Sequence, residues 1–312
     1  MRMSPKPIVV VGSINMDLVA KASRIPVAGE TILGSDFQMH PGGKGANQAV
    51  AVGRLGYPVR LIGKVGEDAF GDQLRAYLGA AGVDISTVEV CAGGSGVAAI
   101  AVSAQGENSI IVVPGANVEV TSEFLDSYLD VIRSAGVVLT QLEIPIATVE
   151  HLAQLCAQER IPLILDPAPA RALSSKILNR LSWFTPNETE AAFFANHAVN
   201  GNQPYEPQEI ASSLLAAGIQ GVVLKMGSRG AYLAETGGSA QLISAYKVTA
   251  VDTTAAGDAF NGAFATGLML GMSAEEAASF ASAAAAISVT RPGAQPSMPS
   301  RDEVEQMQKK YP

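Results

Sequence analysis

The residues best suited to chemistry lie in Val251–Phe264, which reads VDTTAAGDAFNGAF. Two threonines, two alanines and a glycine precede Asp258. Asp258 opens an apolar run at helical spacing: Ala259, Phe260, Ala263, Phe264, Gly267 and Leu268. A tight loop of small residues therefore enters a helix. Small residues let a ligand approach the backbone closely. The first N–H groups of a helix have no partner inside it, and the helix dipole draws negative charge to that end, so a phosphate could sit there. A carboxylate in the same turn, Asp258, could take a proton from a nearby hydroxyl. Taken alone, the loop fits an ordinary aspartate helix cap better. The rest of the chain reverses that balance.

A second candidate is His40–Leu55, HPGGKGANQAVAVGRL. Gly42, Gly43 and Gly45 surround Lys44, and Ala46, Ala49, Val50 and Val52 begin a helix. The spacing matches neither the nucleotide P-loop nor GxGxxG. A flexible turn is the plain reading. Close backbone approach to a ligand, with Lys44 and Asn47 as polar contacts, is the functional one. Other polar groups fall just past apolar runs: Asn15 and Asp17 after IVVVG, Glu143, Asn187, and the segment Lys225–Gly230 with Met226, Gly227, Ser228 and Arg229. Individually, such Asn and Asp residues are usually turn or cap residues, and a lone lysine is usually solvated.

These groups need a scaffold to bring them together. Ile8–Val11, Val59–Lys64, Val137–Gln141, Leu163–Leu165, Trp183–Thr185 and Val222–Lys225 read as strands. Helical patterns lie between them at Phe70–Ala81, Thr121–Arg133, Thr148–Glu159 and Ile210–Ala217. Such alternation implies a mostly parallel sheet covered on both faces. Ligands in such sheets bind at the carboxyl ends of the strands, where the polar groups above fall. Leu18–Phe37 and the runs Ile85–Val90, Val97–Val102 and Ser109–Val113 are β-like without helices between them, so they could form a separate small sheet. Asn196–Gln208 reads as a surface loop. Ala231–Glu235 with Leu242–Ala245 reads as a hairpin, and a charged helix starts at Asp302.

Composition narrows the partners. The 312 residues are 48% hydrophobic and 16% charged, as in a globular chain with a substantial core. A net charge of −8 without a basic run excludes nucleic acid and anionic membrane as natural partners. Cys91 and Cys156 are isolated, and His40, His151 and His197 form no metal motif. The apolar start IVVV is too short for a signal peptide and Ala277–Val289 too short for a span, which points to the cytoplasm.

Together these segments resemble the PfkB, or ribokinase-like, family of carbohydrate kinases. The likeness runs from GSINMD at Gly12–Asp17 to TRPGAQPS at Thr290–Ser297, with two family signatures, GGKGANQA at Gly42–Ala49 and DTTAAGDAFNGAF at Asp252–Phe264. PAPAR, TPNETEA and GSRGAY are most similar to the ribose-phosphorylating branch. The resemblance implies a single domain over residues 1–312, a three-layer α/β/α sandwich with a mostly parallel sheet plus a small β lid from about 14–40 and 88–113. It implies transfer from ATP to the 5-hydroxyl of D-ribose, with Mg²⁺, activation by K⁺ and a homodimer formed through the lid. Asn15, Asp17, Gly42, Gly43, Lys44, Gly45, Asn47 and Glu143 match sugar-binding positions. Asp258 matches the catalytic base, and Ala255, Ala256 and Gly257 its anion hole. Asn187, Glu190, Lys225–Gly230 and Ser282 match nucleotide positions. Asp252, Thr254, Ser288, Arg291, Gly293 and Ser297 match the monovalent-cation ring. Ser282 stands where this branch often has His or Asn, and Lys225–Met226 replaces a small polar start. A kinase for deoxyribose, fructose or a pyrimidine nucleoside and a non-catalytic sugar-binding regulator are the alternatives; a nicotinamide dehydrogenase lacks its GxGxxG.

Overall fold

A computed structural model describes residues 5–194, 206–238 and 240–311. In the first half the chain runs β1 (Ile8–Val11), β2 (Asn15–Ala22), β3 (Gly34–Gly42), α1 (Lys44–Arg54), β4 (Val59–Gly66), α2 (Ala69–Ala80), β5 (Val88–Cys91), β6 (Gly96–Ser103) and β7 (Asn108–Val113). It continues α3 (Ser122–Asp126), α4 (Leu129–Ser134), β8 (Val137–Thr140), α5 (Ile146–Glu159), β9 (Leu163–Leu165), α6 (Ser175–Leu178), β10 (Trp183–Phe184) and α7 (Glu188–Phe194). Then come α8 (Pro207–Ala216), β11 (Gly221–Lys225), β12 (Ala231–Glu235), β13 (Ala240–Ile243), α9 (Ala256–Met269), α10 (Ala274–Ser288) and α11 (Arg301–Lys310).

The large sheet has nine strands in the order β13-β12-β11-β10-β9-β8-β1-β4-β5. It is parallel except for the antiparallel pairs of β12 with β11 and β13. Successive residues of β1 enter different cores. Ile8 and Val10 pack with α1, α9 and α10, while Val9 and Val11 pack with α5 and α8. Burial on both faces explains why the strand is apolar at every position rather than at alternate ones. The result is three layers, helix–sheet–helix. The second sheet has four strands, β3-β2-β6-β7, and carries Asn15 and Asp17 at its start.

Three elements depart from the pattern read in the sequence. The run Ile85–Val90 does not join the small sheet. Val88–Cys91 pairs parallel with β4 at the edge of the large sheet. The crossover helix α2 makes that parallel pairing reachable, and alternation in a short run cannot say which sheet edge it will join. The second limb of the small sheet therefore begins at Gly96. The single helix expected over Thr121–Arg133 is two, because Ser127 N–H and Tyr128 N–H close tight turns on Phe124 and Leu125 carbonyls, at 3.2 and 2.8 Å. The loop expected over Asn196–Gln208 falls largely outside the described residues, and its last positions already belong to α8, which has proline at its start.

The glycines around Lys44 have distinct structural causes. Gly43 caps α1 with φ 86°. Gly45 lies against the end of β1: a Cβ there would come within 2.6 Å of the Gly12 carbonyl carbon and the Ser13 nitrogen. Gly79, by contrast, is an exposed position in α2 where a Cβ would meet only Ile85 Cδ1 at 3.9 Å. Gly45→Ala is therefore expected to destabilise the fold by about 1–3 kcal/mol through overpacking. Gly79→Ala should stabilise it by roughly 0.5–1 kcal/mol through helix propensity. Urea unfolding midpoints of the two variants test the contrast.

Candidate active site

The strand order reverses at β1. One connection leads to β4 on one side, and a later one returns to β8 on the other. The crevice outside the carboxyl ends of these strands is where such sheets bind ligands. Five strand ends feed it: Ser13 after β1, Glu143 after β8, Asp166 after β9, Asn187 after β10 and Lys225 at the end of β11.

Asp258 lies in the first turn of α9 and is only 5% exposed. Asn47 Nδ2 donates to its Oδ2 at 3.0 Å, and Gln48 Nε2 to its Oδ1 at 3.1 Å. Burial pushes its carboxyl up to about 6; Lys44 pulls it down, Asp166 pushes it up, and the two amides pull it down. At neutral pH it remains mostly ionised and can accept a proton. Ala255, at the N-cap of α9, has φ 58°, a left-handed conformation that costs a non-glycine residue about 1–3 kcal/mol. That geometry turns the loop sharply into α9. Ala256 N–H reaches the Thr253 carbonyl at 3.3 Å, and Gly257 is a first-turn residue without an intrahelical acceptor. A Cβ on Gly257 would lie 3.3 Å from Lys225 Nζ, so an ammonium flanks this helix N-terminus.

Asn15, Asp17, Lys44, Asn47 and Glu143 lie on the side of the small sheet. Asn15 is buried, and its Oδ1 accepts from Asn117 Nδ2 at 2.7 Å, which leaves its own amide N–H₂ to donate. Glu143 Oε2 accepts from Ser13 Oγ at 2.5 Å and from Lys44 N–H at 3.1 Å, tying the loop after β8 to the start of α1. Asp17 is pushed up to about 7, first by burial and then by Glu143 and Asp258, against the pull of Lys44. Burial disfavours the charge of the Lys44 ammonium, but Asp258, Asp166, Glu143 and Glu190 outweigh it and hold the lysine protonated. Gly42 also faces this site, since a Cβ there would collide with the Asp17 carboxylate at 2.3 Å for Oδ2.

A cleft of about 760 Å³ opens from Asp258 on the other side. Lys44, Asp166, Asn187, Glu190, Lys225, Gly227, Ser228, Gly230, Ala255, Ala256, Gly257 and Ser282 all border it. Its far wall is apolar, from Val248, Ala285, Ala286 and Val289. Lys225 Nζ bonds Asp166 Oδ1 at 3.0 Å, both side chains being largely buried. Asn187 and Glu190 bond reciprocally across the first turn of α7, with Asn187 N–H donating to Glu190 Oε2 at 2.8 Å and Glu190 N–H to Asn187 Oδ1 at 2.8 Å. Burial and Asp166 raise the Glu190 carboxyl. Met226 and Arg229 do not border the cleft. Met226 packs in the core with Val222 and Leu224, as the residue after a buried strand, and Arg229 pairs with Glu188 at the surface.

The residues of the expected cation ring meet where the Asp252 loop packs on the segment after α10. Asp252 Oδ1 accepts from Thr254 N–H at 2.9 Å and Oδ2 from Gly293 N–H at 2.8 Å. Burial opposes ionisation of Asp252, but these hydrogen bonds prevail and lower its carboxyl. Ser288 and Ser297 hydroxyls donate to the Ala285 and Ala294 carbonyls at 2.9 and 2.7 Å, so their oxygens remain acceptors. The Arg291 guanidinium is taken by Glu303, so only its carbonyl could face an ion. This donor set is oxygen-only and carries one carboxylate, which suits a weakly hydrated monovalent cation. Among the described residues no cluster of three or more His, Cys, Asp or Glu could hold a metal.

Sequence reasoning missed Ser13, Gln48, Asn117, Asp166 and Gln295. Asp166 sat at a strand end and was findable by the rule that picked Glu143. Gln48, Asn117 and Gln295 act from inside the protein, where an amide has no local signature.

The fold agrees with the comparisons. The model of the pfkB family carbohydrate kinases matches residues 6–301. The chain belongs to that family. It is 43% identical over 302 residues to a ribokinase of Bacillus subtilis, covering 96% of this chain and 98% of that one. It is also 36% identical to a deoxyribokinase of Salmonella typhi, covering 94% and 95%. Among solved structures, Arabidopsis thaliana ribokinase complexed with ribose and ATP superposes with a TM-score of 0.90 at 36% identity, covering 98% of this chain and 99% of that one. No described helix is long and apolar enough to cross a membrane.

Asp17 provides a test of the site's electrostatics. Its carboxyl titrates near 7 when folded against an ordinary 3.8. The folded state thus holds the proton more tightly. The associated stability is fully present below the ordinary value and lost as pH rises through about 7. Asp17→Asn removes that loss, so its unfolding midpoint should exceed wild type at about pH 8.5 and converge with it near about pH 4. Equal midpoints at both pH values would contradict the assignment.

Proposed function

We propose that this chain is an ATP-dependent sugar kinase that phosphorylates D-ribose at its 5-hydroxyl. The observation that carries this reading is a buried, mostly ionised Asp258 at the junction of two compartments. One is lined by hydroxyl-matching groups and the other is a nucleotide-sized cleft. The relatives named ribokinase at 36–43% identity support ribose as the acceptor.

In this reading Asn15, Asp17, Asn47 and Glu143 bond the sugar hydroxyls, with Lys44 beside them. A site of buried donors and acceptors rejects a sugar that leaves one unpaired. Asp258 accepts the proton of the attacking hydroxyl as the new O–P bond forms, which is worth about 10²–10⁴-fold. The amides at Ala255–Gly257 and the Lys225 ammonium stabilise charge on the transferred phosphoryl. Phosphoryl transfer has a loose transition state, so positioning and charge stabilisation are the main demands. Asn187, Glu190, Lys225, Gly227, Ser228 and Gly230 border the triphosphate, and Ser282 with the apolar wall borders the base. Bound Mg²⁺ would neutralise phosphate charge, held mainly by phosphate and water, with Glu190 as a carboxylate bordering the cleft. A K⁺ ion would be held by oxygens of Asp252, Thr254, Ser288, Arg291, Gly293 and Ser297 and would stiffen the loop before α9.

We place the protein in the cytoplasm as a homodimer joined through the small sheet. Phe37, Met39, Ile111 and Val113 share one face of that sheet and are all about half exposed or more. Such an apolar patch marks an interaction surface.

ADP-release assays over pentoses, hexoses and nucleosides test the reading. Ribose should exceed 2-deoxyribose and fructose by roughly tenfold or more, the deoxy sugar because it leaves one hydroxyl partner in the site unpaired. Preference for deoxyribose would instead favour the alternative that the Salmonella relative suggests. Asp258→Asn should abolish turnover yet retain ribose binding by calorimetry; full turnover would remove Asp258 as base. Turnover equal in potassium and tetramethylammonium would dismiss the cation site. Ile111→Asp should shift sedimentation from dimer to monomer.

A further inference from the structure

The geometry points to Gln48 and Gln295 as positioning residues that hold the Asp258 carboxylate in a single orientation through two chains of buried carboxamides. This rests on the kinase reading above, but it adds residues that contact neither sugar nor nucleotide in that reading.

In the first chain, Gln141 Nε2 donates to Gln48 Oε1 at 2.7 Å. With its oxygen occupied, Gln48 turns its N–H₂ group towards both acids, reaching Asp258 Oδ1 at 3.1 Å and Asp166 Oδ2 at 3.0 Å. The reverse amide orientation would set an oxygen against two carboxylates and a donor against the Gln141 donor. The second chain is built alike. Gln295 Nε2 donates to Asn47 Oδ1 at 3.2 Å, and Asn47 Nδ2 donates to Asp258 Oδ2 at 3.0 Å. Each Asp258 oxygen thus receives an amide whose own oxygen is taken by a further amide. All four carboxamide residues are buried, Gln48 and Gln141 completely. Buried donors of this kind are worth more than exposed ones.

Two consequences follow. With one lone pair on each oxygen engaged, the remaining ones point along fixed directions, so the incoming hydroxyl meets a preset acceptor. Gln48 also joins the base to Asp166 and, through it, to Lys225 on the phosphoryl side. The charged groups facing Asp258 are Lys44 from α1, Asp17 from β2, Asp166 after β9 and Lys225 at the end of β11. Two positive and two negative groups surround it, so the neutral amides supply the directional stabilisation of the anion.

The test uses the full chain with Gln48→Leu, Gln141→Leu and Gln295→Leu. Two readouts are taken: kcat against pH with ribose and ATP, and the Asp258 carboxyl titrated by ¹³C NMR of aspartate-labelled protein, assigned with Asp258→Asn. Gln48→Leu is expected to raise the carboxyl midpoint and the acidic limb of kcat together by about one pH unit, because a donor to the charged form is lost. Its kcat at the plateau should fall roughly 10- to 100-fold, a share of the general-base contribution, with KM for both substrates within about twofold. Gln141→Leu and Gln295→Leu should give smaller changes of the same sign, and they serve if Gln48→Leu does not fold. An unmoved midpoint in every folded variant overturns the inference. A raised midpoint with wild-type kcat overturns the catalytic part of it. The NMR midpoint does not depend on turnover. Wild-type protein that phosphorylates none of the sugars tested would therefore defeat the kinase reading while the orientation of Asp258 by Gln48 is still judged on its own.

Discussion

A carboxylate kept almost out of water sets the terms for the rest of this molecule. An isolated buried anion is costly unless charge and hydrogen bonds compensate. Asp258 is compensated from three directions: the N-terminus of α9, the Lys44 ammonium, and donors from Asn47 and Gln48. Three of these side chains belong to α1, so α1 and α9 must meet at close range. Gly262 makes that contact, since a Cβ there would lie 2.6 Å from Ala51 Cβ and 2.8 Å from the Gln48 carbonyl. The helix that carries Asp258 and the helix that steadies it are therefore locked by a residue without a side chain.

The same requirement explains the glycines before α1. Bringing Lys44, Asn47 and Gln48 to the crevice sets the start of α1 against the end of β1, where Gly12 and Gly45 leave no room for a Cβ. Glu143 then ties the loop after β8 to that junction through Ser13 and Lys44. The connections that frame the switch point are thus cross-linked by the residues that border the ligand sites. Such supports preset catalytic geometry before a ligand arrives.

The layered fold was largely readable in the chain. Wholly apolar β1, the apolar start of β8, the stripes of α5 and the small-residue entry to α9 each carry a local pattern that follows from burial on one or two faces. The run Ile85–Val90 reads as part of the small sheet, yet Val88–Cys91 joins β4, because strand partners are chosen by long-range pairing, to which a run of a few alternating residues is blind. Thr121–Arg133 kept helical spacing across a break made by the backbone turns at Ser127 and Tyr128. Among site residues, those at strand ends and in glycine-rich turns were legible. Met226 was drawn in by its neighbours although its side chain faces the core, and Asp166, Asn117 and Gln295 were passed over.

The sequence by itself determined which segments are buried strands, where the backbone must turn sharply, and which carboxylate opens a helix. These are local consequences of side-chain shape and period, written within a few residues. Only the tertiary structure decided that Gln48 meets Asp258 across 210 residues of chain, that Asp166 pairs with Lys225, and that Gln295 steadies Asn47. Such partners depend on how the sheet stacks its strand ends. A buried amide or acid can be told from an ordinary polar residue only once the low-dielectric space around it has been assembled.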